Sequence, residues 1–67
     1  MYLPLAGLDV NNATLEELTA VSGIGPKLAQ AIIDEREQNG PFWYPEDMMS
    51  VSGIGRKRME ALYGGDE

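Results

Sequence analysis

The feature that most limits what this chain can fold into is a repeat. Val21, Ser22, Gly23, Ile24, Gly25, Pro26, Lys27 returns as Val51, Ser52, Gly53, Ile54, Gly55, Arg56, Lys57, with six of seven positions identical at an offset of 30 residues. The similarity extends outward, pairing Glu17 with Asp47, Leu18 with Met48, Ala20 with Ser50, Ala31 with Ala61 and Ile32 with Leu62. One copy is too short to bury its own apolar face, so a chain of 67 residues must pack the two copies around a shared core. The repeat places one domain over 9–64, with units 13–38 and 44–63 and a connector 39–43. Residues 1–8 read as an N-terminal extension on which Tyr2, Leu3 and Leu5 can pack, and 65–67 as a frayed tail.

Each unit reads as helix, tight turn, helix. In the first, Thr14 with Glu17 three residues later makes a capping box, and the short helix behind it presents Leu15, Leu18 and Val21 on one side. Gly23 stops that helix. The two glycines let the backbone take positive φ or approach a ligand closely, while Ile24 between them anchors the turn in the core. Pro26 suits the first position of the next helix, which lines up Leu28, Ala31, Ile32 and the stem of Glu35, with small Ala29 admitting a close neighbour. Asn39, Gly40 and Pro41 end it.

In the second unit Pro45, Glu46 and Asp47 form a helix start, with Met48, Met49 and Val51 as the apolar surface. The last helix begins near Arg56 and turns Met59, Leu62 and Tyr63 inward, ending at Gly64 and Gly65. Phe42 of the connector is the expected central plug. The fold class is all-α, a small bundle in which two units pack about a pseudo-twofold axis.

Composition narrows the function. There is no cysteine and no histidine, so disulfides, the usual zinc ligands and the commonest proton-transfer side chain are all missing. Met1 to Val10 lacks the basic start and long apolar core of a signal peptide, and no apolar run approaches the ~20 residues that span a bilayer, so no membrane insertion is expected of this segment. Asp34 with Glu37 and Glu46 with Asp47 are the only carboxylate pairs worth testing as a catalytic site. Adjacent helical residues point about 100° apart, which separates Glu46 from Asp47. Asp34 and Glu37 share a face but read as a solvated surface, so no enzyme activity is expected. Nor do the glycines match a dinucleotide-binding loop, which needs a third glycine and a preceding strand.

The net charge of −6 argues against a polyanionic partner until its distribution is considered. Lys27, Arg56, Lys57 and Arg58 sit in or just after the two glycine turns and carry +4, whereas the remainder, eleven acids and Arg36, carries −10. Positive charge is thus confined to two places, which suits local anion contacts.

These residues resemble the helix-hairpin-helix family in its tandem form, and more narrowly the ComEA-like DNA receptors of bacterial competence. The likeness covers nearly everything from Leu8 to Tyr63. It is carried by Val10, Asn11, Asn12, Ala13, Thr14, Glu16, Glu17 and Leu18; by Gly23, Ile24, Gly25, Ala29, Ile32 and Ile33; by Arg36, Asn39, Gly40 and Phe42; and by Glu46, Asp47, Gly53, Ile54 and Gly55. The resemblance implies a (HhH)2 or SAM-domain-like bundle that binds DNA, duplex in preference, without sequence specificity. Main-chain amides of the two hairpins would hold phosphate oxygens from the minor-groove side, in DNA uptake.

Carried over by position, the phosphate-binding residues are Gly23, Ile24, Gly25 and Lys27 in the first hairpin and Gly53, Ile54, Gly55, Arg56, Lys57 and Arg58 in the second. Pro26 has no amide to donate. The resemblance also implies a monovalent cation, K+ or Na+, bridging a hairpin to phosphate through the carbonyls of Thr19, Val21 and Ile24 or of Met49, Val51 and Ile54, with no metal held by side chains. Such a parent protein would be extracytoplasmic and membrane-tethered if it serves DNA uptake, and cytoplasmic otherwise.

Two departures from the family pattern stand out. Trp43 and Tyr44 occupy places where relatives carry a basic residue and a Ser or Thr cap, which weakens the start of the third helix. These aromatics can stack on bases, cover the seam between units, or receive a protein partner. The second departure is the acids at Asp34, Glu35, Glu37, Glu46 and Asp47, which would repel DNA if they bordered the hairpins. An alternative reading is therefore a protein-interaction scaffold, as in the extrinsic photosystem II subunit of this fold, whose relatives lose the second hairpin glycine and the following base. This chain keeps both, twice.

Overall fold

The computed structural model describes residues 2–64. Two short strands, β1 (Pro4–Leu5) and β2 (Leu8–Asp9), precede helices α1 (Leu15–Thr19) and α2 (Pro26–Asn39), a 3-10 helix over Pro45–Ser50, and α3 (Arg56–Tyr63). Helix dominates, as the repeat requires. Helix α1 packs on α2, and the 3-10 helix packs on α3.

The core draws on every segment. Leu18, Ile32, Met48 and Val10 are the largest fully buried side chains, and Ala13, Ile24, Ile54, Phe42, Val51, Ala29 and Met59 complete the interior with residues of the opening hairpin. Phe42 is 3% exposed, buried as expected of it. Its backbone is held by Asn11, whose side-chain Nδ2 donates to the Phe42 carbonyl at 2.9 Å and whose Oδ1 accepts from the Phe42 amide at 2.7 Å. Arg36 Nη1 donates to the Val10 carbonyl at 2.8 Å, tying α2 to the same segment. These three contacts give structural reasons for Asn11, Arg36 and Phe42.

Several expectations need correction. Of the extension residues expected to pack on the domain, Leu3 and Leu5 do so at 5% and 2% exposure, whereas Tyr2 is 65% exposed. β1 and β2 pair antiparallel with Leu5 opposite Leu8, across a two-residue turn in which Ala6 and Gly7 both have positive φ, 52° and 85°. That geometry matches the right-handed twist of a hairpin, and Ala6 is an unusual residue to adopt it. Asp9 locks the segment: its Oδ1 accepts from the amides of Leu3 and Asn11, and its carbonyl from those of Asn12 and Ala13.

The first element of the second unit is a 3-10 helix, not the α-helix its sequence suggested. Tyr44 provides no hydroxyl cap, but Asp47 Oδ2 reaches back to the amides of Trp43 and Tyr44 at 2.9 and 3.0 Å. The start is thus held from within. Leu15 and Met49, expected inward, are exposed, and Trp43 and Tyr44 stand out at 57% and 66% exposure. The expected tail, 65–67, lies outside the described residues.

Candidate nucleic-acid interface

The two hairpins have the same backbone. Gly23 and Gly53 take φ of 92° and 96°, a region that side chains rarely adopt, so glycine is required at both. Gly25 and Gly55 follow with extended backbone and serve as the N-caps of α2 and α3. Ile24 and Ile54 are each 3% exposed. Their amides are engaged within the turns, donating to the Val21 and Val51 carbonyls at 3.0 Å in both cases. These isoleucines therefore anchor the turns, and neither amide is free for phosphate, a correction to their place among the phosphate-binding residues.

The remaining amides are differently placed. Those of Gly23, Gly25 and Lys27, and of Gly53, Gly55 and Lys57, have no hydrogen-bond acceptor among the described residues. Gly25 and Gly55 accept from Ala29 and Met59 at 2.9 Å, so each helix begins immediately behind its hairpin. First-turn amides with no intrahelical acceptor carry partial positive charge, and neither α2 nor α3 has an acid in its first turn to neutralise it.

Both hairpins open onto one cleft of about 560 Å³, lined by Gly23, Gly25, Lys27, Ser52, Gly53 and Arg58. Leu28 and Ala31 supply its apolar wall. Among the described residues no carboxylate lines it. Of the acids that threatened repulsion, Asp34 accepts from Gln30, Glu35 from Asn39, and Asp47 from the connector amides. Among the described residues no group of three or more acids converges as a metal site, and no helix is long and apolar enough to cross a membrane.

Positions 28 and 58 are equivalent under the repeat, and each reaches the opposite unit. Leu28 Cδ1 lies 3.2 Å from where a Cβ on Gly53 would stand, and Arg58 Nη1 donates to the Gly23 carbonyl at 3.3 Å. Sequence order groups Arg58 with the second hairpin, whereas the fold brings it to the first. Sequence reasoning missed this contact, and only the equivalence of positions 28 and 58 could have signalled it. Arg56 meets Glu60 in an exposed pair at 3.6 Å, worth little in water.

A helix-hairpin-helix fold with two equivalent glycine turns defines the class of protein. The chain belongs to the helix-hairpin-helix motif family, whose model matches residues 5–64. It is similar to ComE operon protein 1 of Bacillus subtilis, 53% identical over 55 residues, which is 82% of this chain and 27% of that protein. An uncharacterized protein of Haemophilus influenzae is 41% identical over 54 residues, 79% of this chain and 48% of that one. The human endonuclease/exonuclease/phosphatase family domain-containing protein 1 is 40% identical over 55 residues, only 10% of its length. The chain thus spans half or less of each of these relatives, and in the human protein the likeness is confined to a small segment.

Proposed function

We propose that this domain binds DNA without reading sequence, by presenting the two hairpins to phosphates of a duplex in the course of DNA uptake. The observation that carries the proposal is the convergence of two equivalent turns, each with unbonded amides, on one cleft that among the described residues is lined by Lys27 and Arg58 and by no acid. Membership in the helix-hairpin-helix family and the likeness to ComE operon protein 1 support it. Glycine leaves the approach open, first-turn amides and the dipoles of α2 and α3 favour an anion, and Lys27, Arg56, Lys57 and Arg58 add charge-assisted contacts. None of these groups reads a base edge, so the activity is a grip on the backbone. Were a K+ or Na+ ion to bridge a hairpin to phosphate, the carbonyls of Thr19, Val21 and Ile24 or of Met49, Val51 and Ile54 would hold it. Val21 and Val51 each accept one amide and keep a second lone pair.

If each hairpin neutralises two phosphates, log K should fall with log salt at a slope of about −3.6. A titration of labelled random-sequence duplex at two salt concentrations tests this against a Lys27→Glu, Lys57→Glu double variant of unchanged helicity. Binding that weakens with salt and vanishes in the folded variant supports the reading. No binding at low salt would overturn it and turn attention to the exposed Trp43 and Tyr44 as a protein contact.

A further inference from the structure

By sequence the bases are unevenly shared, one after the first hairpin and three after the second. Pro26 makes the disparity larger, because it removes the amide that Arg56 contributes at the equivalent position. The fold redistributes the charge. Arg58 leaves α3, crosses the cleft and places Nη1 3.3 Å from the carbonyl oxygen of Gly23. Its counterpart Leu28 makes the return crossing toward Gly53 as an apolar contact.

The Gly23 carbonyl is an informative target. No peptide bond in the described chain is cis, so the Gly23 carbonyl points opposite to the Ile24 amide across their shared peptide plane. That amide donates to the Val21 carbonyl, while the Gly23 oxygen meets Arg58 where both residues line the cleft, and there its partial negative charge would oppose an incoming phosphate. A guanidinium set on this oxygen removes the opposition. It uses one of five N–H donors and leaves the others on an exposed, planar group that suits a phosphate. Gly53 has no such partner among the described residues, and the side chain arriving there is leucine.

We infer that the phosphate site of the first hairpin is composite, built from Gly25 and Lys27 of the first unit and Arg58 of the second, with Arg58 bridging the Gly23 carbonyl to the bound phosphate. This rests on the DNA-binding reading proposed above and adds to it which hairpin Arg58 serves. The two sites are then matched in charge, with Lys27 and Arg58 at one and Arg56 and Lys57 at the other. Neither unit forms the complete pair of sites without its neighbour.

A double-mutant cycle on random-sequence duplex separates the possibilities, using Arg58→Gln alone and combined with Lys27→Gln or Lys57→Gln, with helicity and thermal midpoint recorded for each. Groups that hold one phosphate couple, and groups at separate sites add. Arg58→Gln should weaken binding about fivefold in the wild-type and Lys57→Gln backgrounds, and by about twofold or less in Lys27→Gln. The salt slope should become shallower by about 0.9 in Arg58→Gln. In the free protein, amide resonances of Gly23 and Ile24 should shift, and those of Gly53 and Ile54 should stay.

Coupling of Arg58 to Lys57, or full additivity with both lysines, would overturn the composite site while leaving DNA binding in place. Shifts confined to Gly53 and Ile54 would do the same. Failure of the wild-type domain to bind duplex at low salt would instead remove the DNA reading and this inference with it. Should Arg58→Gln lose helicity, Arg58→Lys takes its place in the cycle. It keeps the charge but lacks the fork, so a retained salt slope with weaker binding supports the bridge, and unchanged affinity overturns it.

Discussion

The first hairpin follows a five-residue α-helix closed by a reciprocal capping box, in which Thr14 and Glu17 exchange hydrogen bonds of 2.9 and 3.1 Å. The second follows a 3-10 helix whose start depends on one carboxylate, Asp47. The helices behind them also differ, 14 residues for α2 and 8 for α3. Despite this, the turns share their glycine φ, their buried isoleucine and that residue's amide bond to the valine three places back. The hairpin is therefore specified by its own three residues and by the core beneath it, and the flanking elements are free to diverge. What they changed is the chemistry at the rim: Pro26 against Arg56, and Leu28 against Arg58.

If the core beneath each turn is the common cause, removing either anchor should be costly and about equally so. Ile24→Ala and Ile54→Ala should each destabilise the domain by about 2–5 kcal/mol. A domain of this size holds about 0.05–0.15 kcal/mol per residue, so either variant should be largely unfolded or close to it. Urea denaturation of both variants checks this. A large loss at one hairpin beside a small one at the other would break the equivalence.

The glycines sharpen the comparison. Gly23→Ala and Gly53→Ala each force a side chain into positive φ, at about 1–2 kcal/mol. A Cβ at Gly53 would meet Leu28 Cδ1 at 3.2 Å, whereas one at Gly23 would meet Leu62 Cδ2 at an ordinary 3.6 Å. Gly53→Ala should therefore be the more destabilising. The gap should close in a Leu28→Ala background, measured by the same denaturation midpoints, because the crowding comes from that one methyl.

Much of this was legible in the chain itself. The repeat announced the two turns and the isoleucine between the glycines of each, helical spacing turned Leu18 inward, and the connector offered Phe42 as a plug. Three things were not legible, each for a physical reason. The opening hairpin turns on Ala6 in a conformation that alanine seldom takes, so no turn signature marks it. The 3-10 character of Pro45–Ser50 is a small change in hydrogen-bond spacing that Pro-Glu-Asp does not encode. The crossing of Arg58 to Gly23 joins residues 35 apart and depends on how the units pack, which side-chain identity alone does not reveal.

Smaller effects should appear at the caps. Thr14→Ala removes one of two reciprocal bonds at the start of α1, while Asp47→Ala removes the acceptor of both connector amides. Each should cost about 0.5–2 kcal/mol, with Asp47→Ala at the upper end, since a charged acceptor serving two donors is lost. Both variants should keep the hairpin backbone, and amide resonances of Gly23 to Gly25 and Gly53 to Gly55 should move little. A hairpin that rearranges with its cap would show that the flanking helix shapes the turn after all.

The least destabilising test sets the two ends of the domain against each other through pH. At Asp9, burial pushes the carboxyl pKa up, but hydrogen bonds from Asn12, Leu3 and Asn11 outweigh it and hold the value below the ordinary 3.8. The fold thus prefers the carboxylate: its contribution is complete above 3.8 and is lost as pH falls through the lower folded value. At Tyr63 burial pushes the phenol from 10.0 to about 12, and its hydroxyl has no partner among the described residues. Here the fold prefers the neutral form, so stability is intact below 10.0 and declines as pH rises toward about 12. Urea midpoints across pH should show Asp9→Asn with a flatter acid arm and an unchanged alkaline one, and Tyr63→Phe the reverse. Tyr63→Phe should also match or exceed the parent at neutral pH, because it removes a buried hydroxyl that none of the described residues satisfies. A phenylalanine variant with an unaltered alkaline arm would mean that Tyr63 ionises as freely in the folded chain as in the unfolded one.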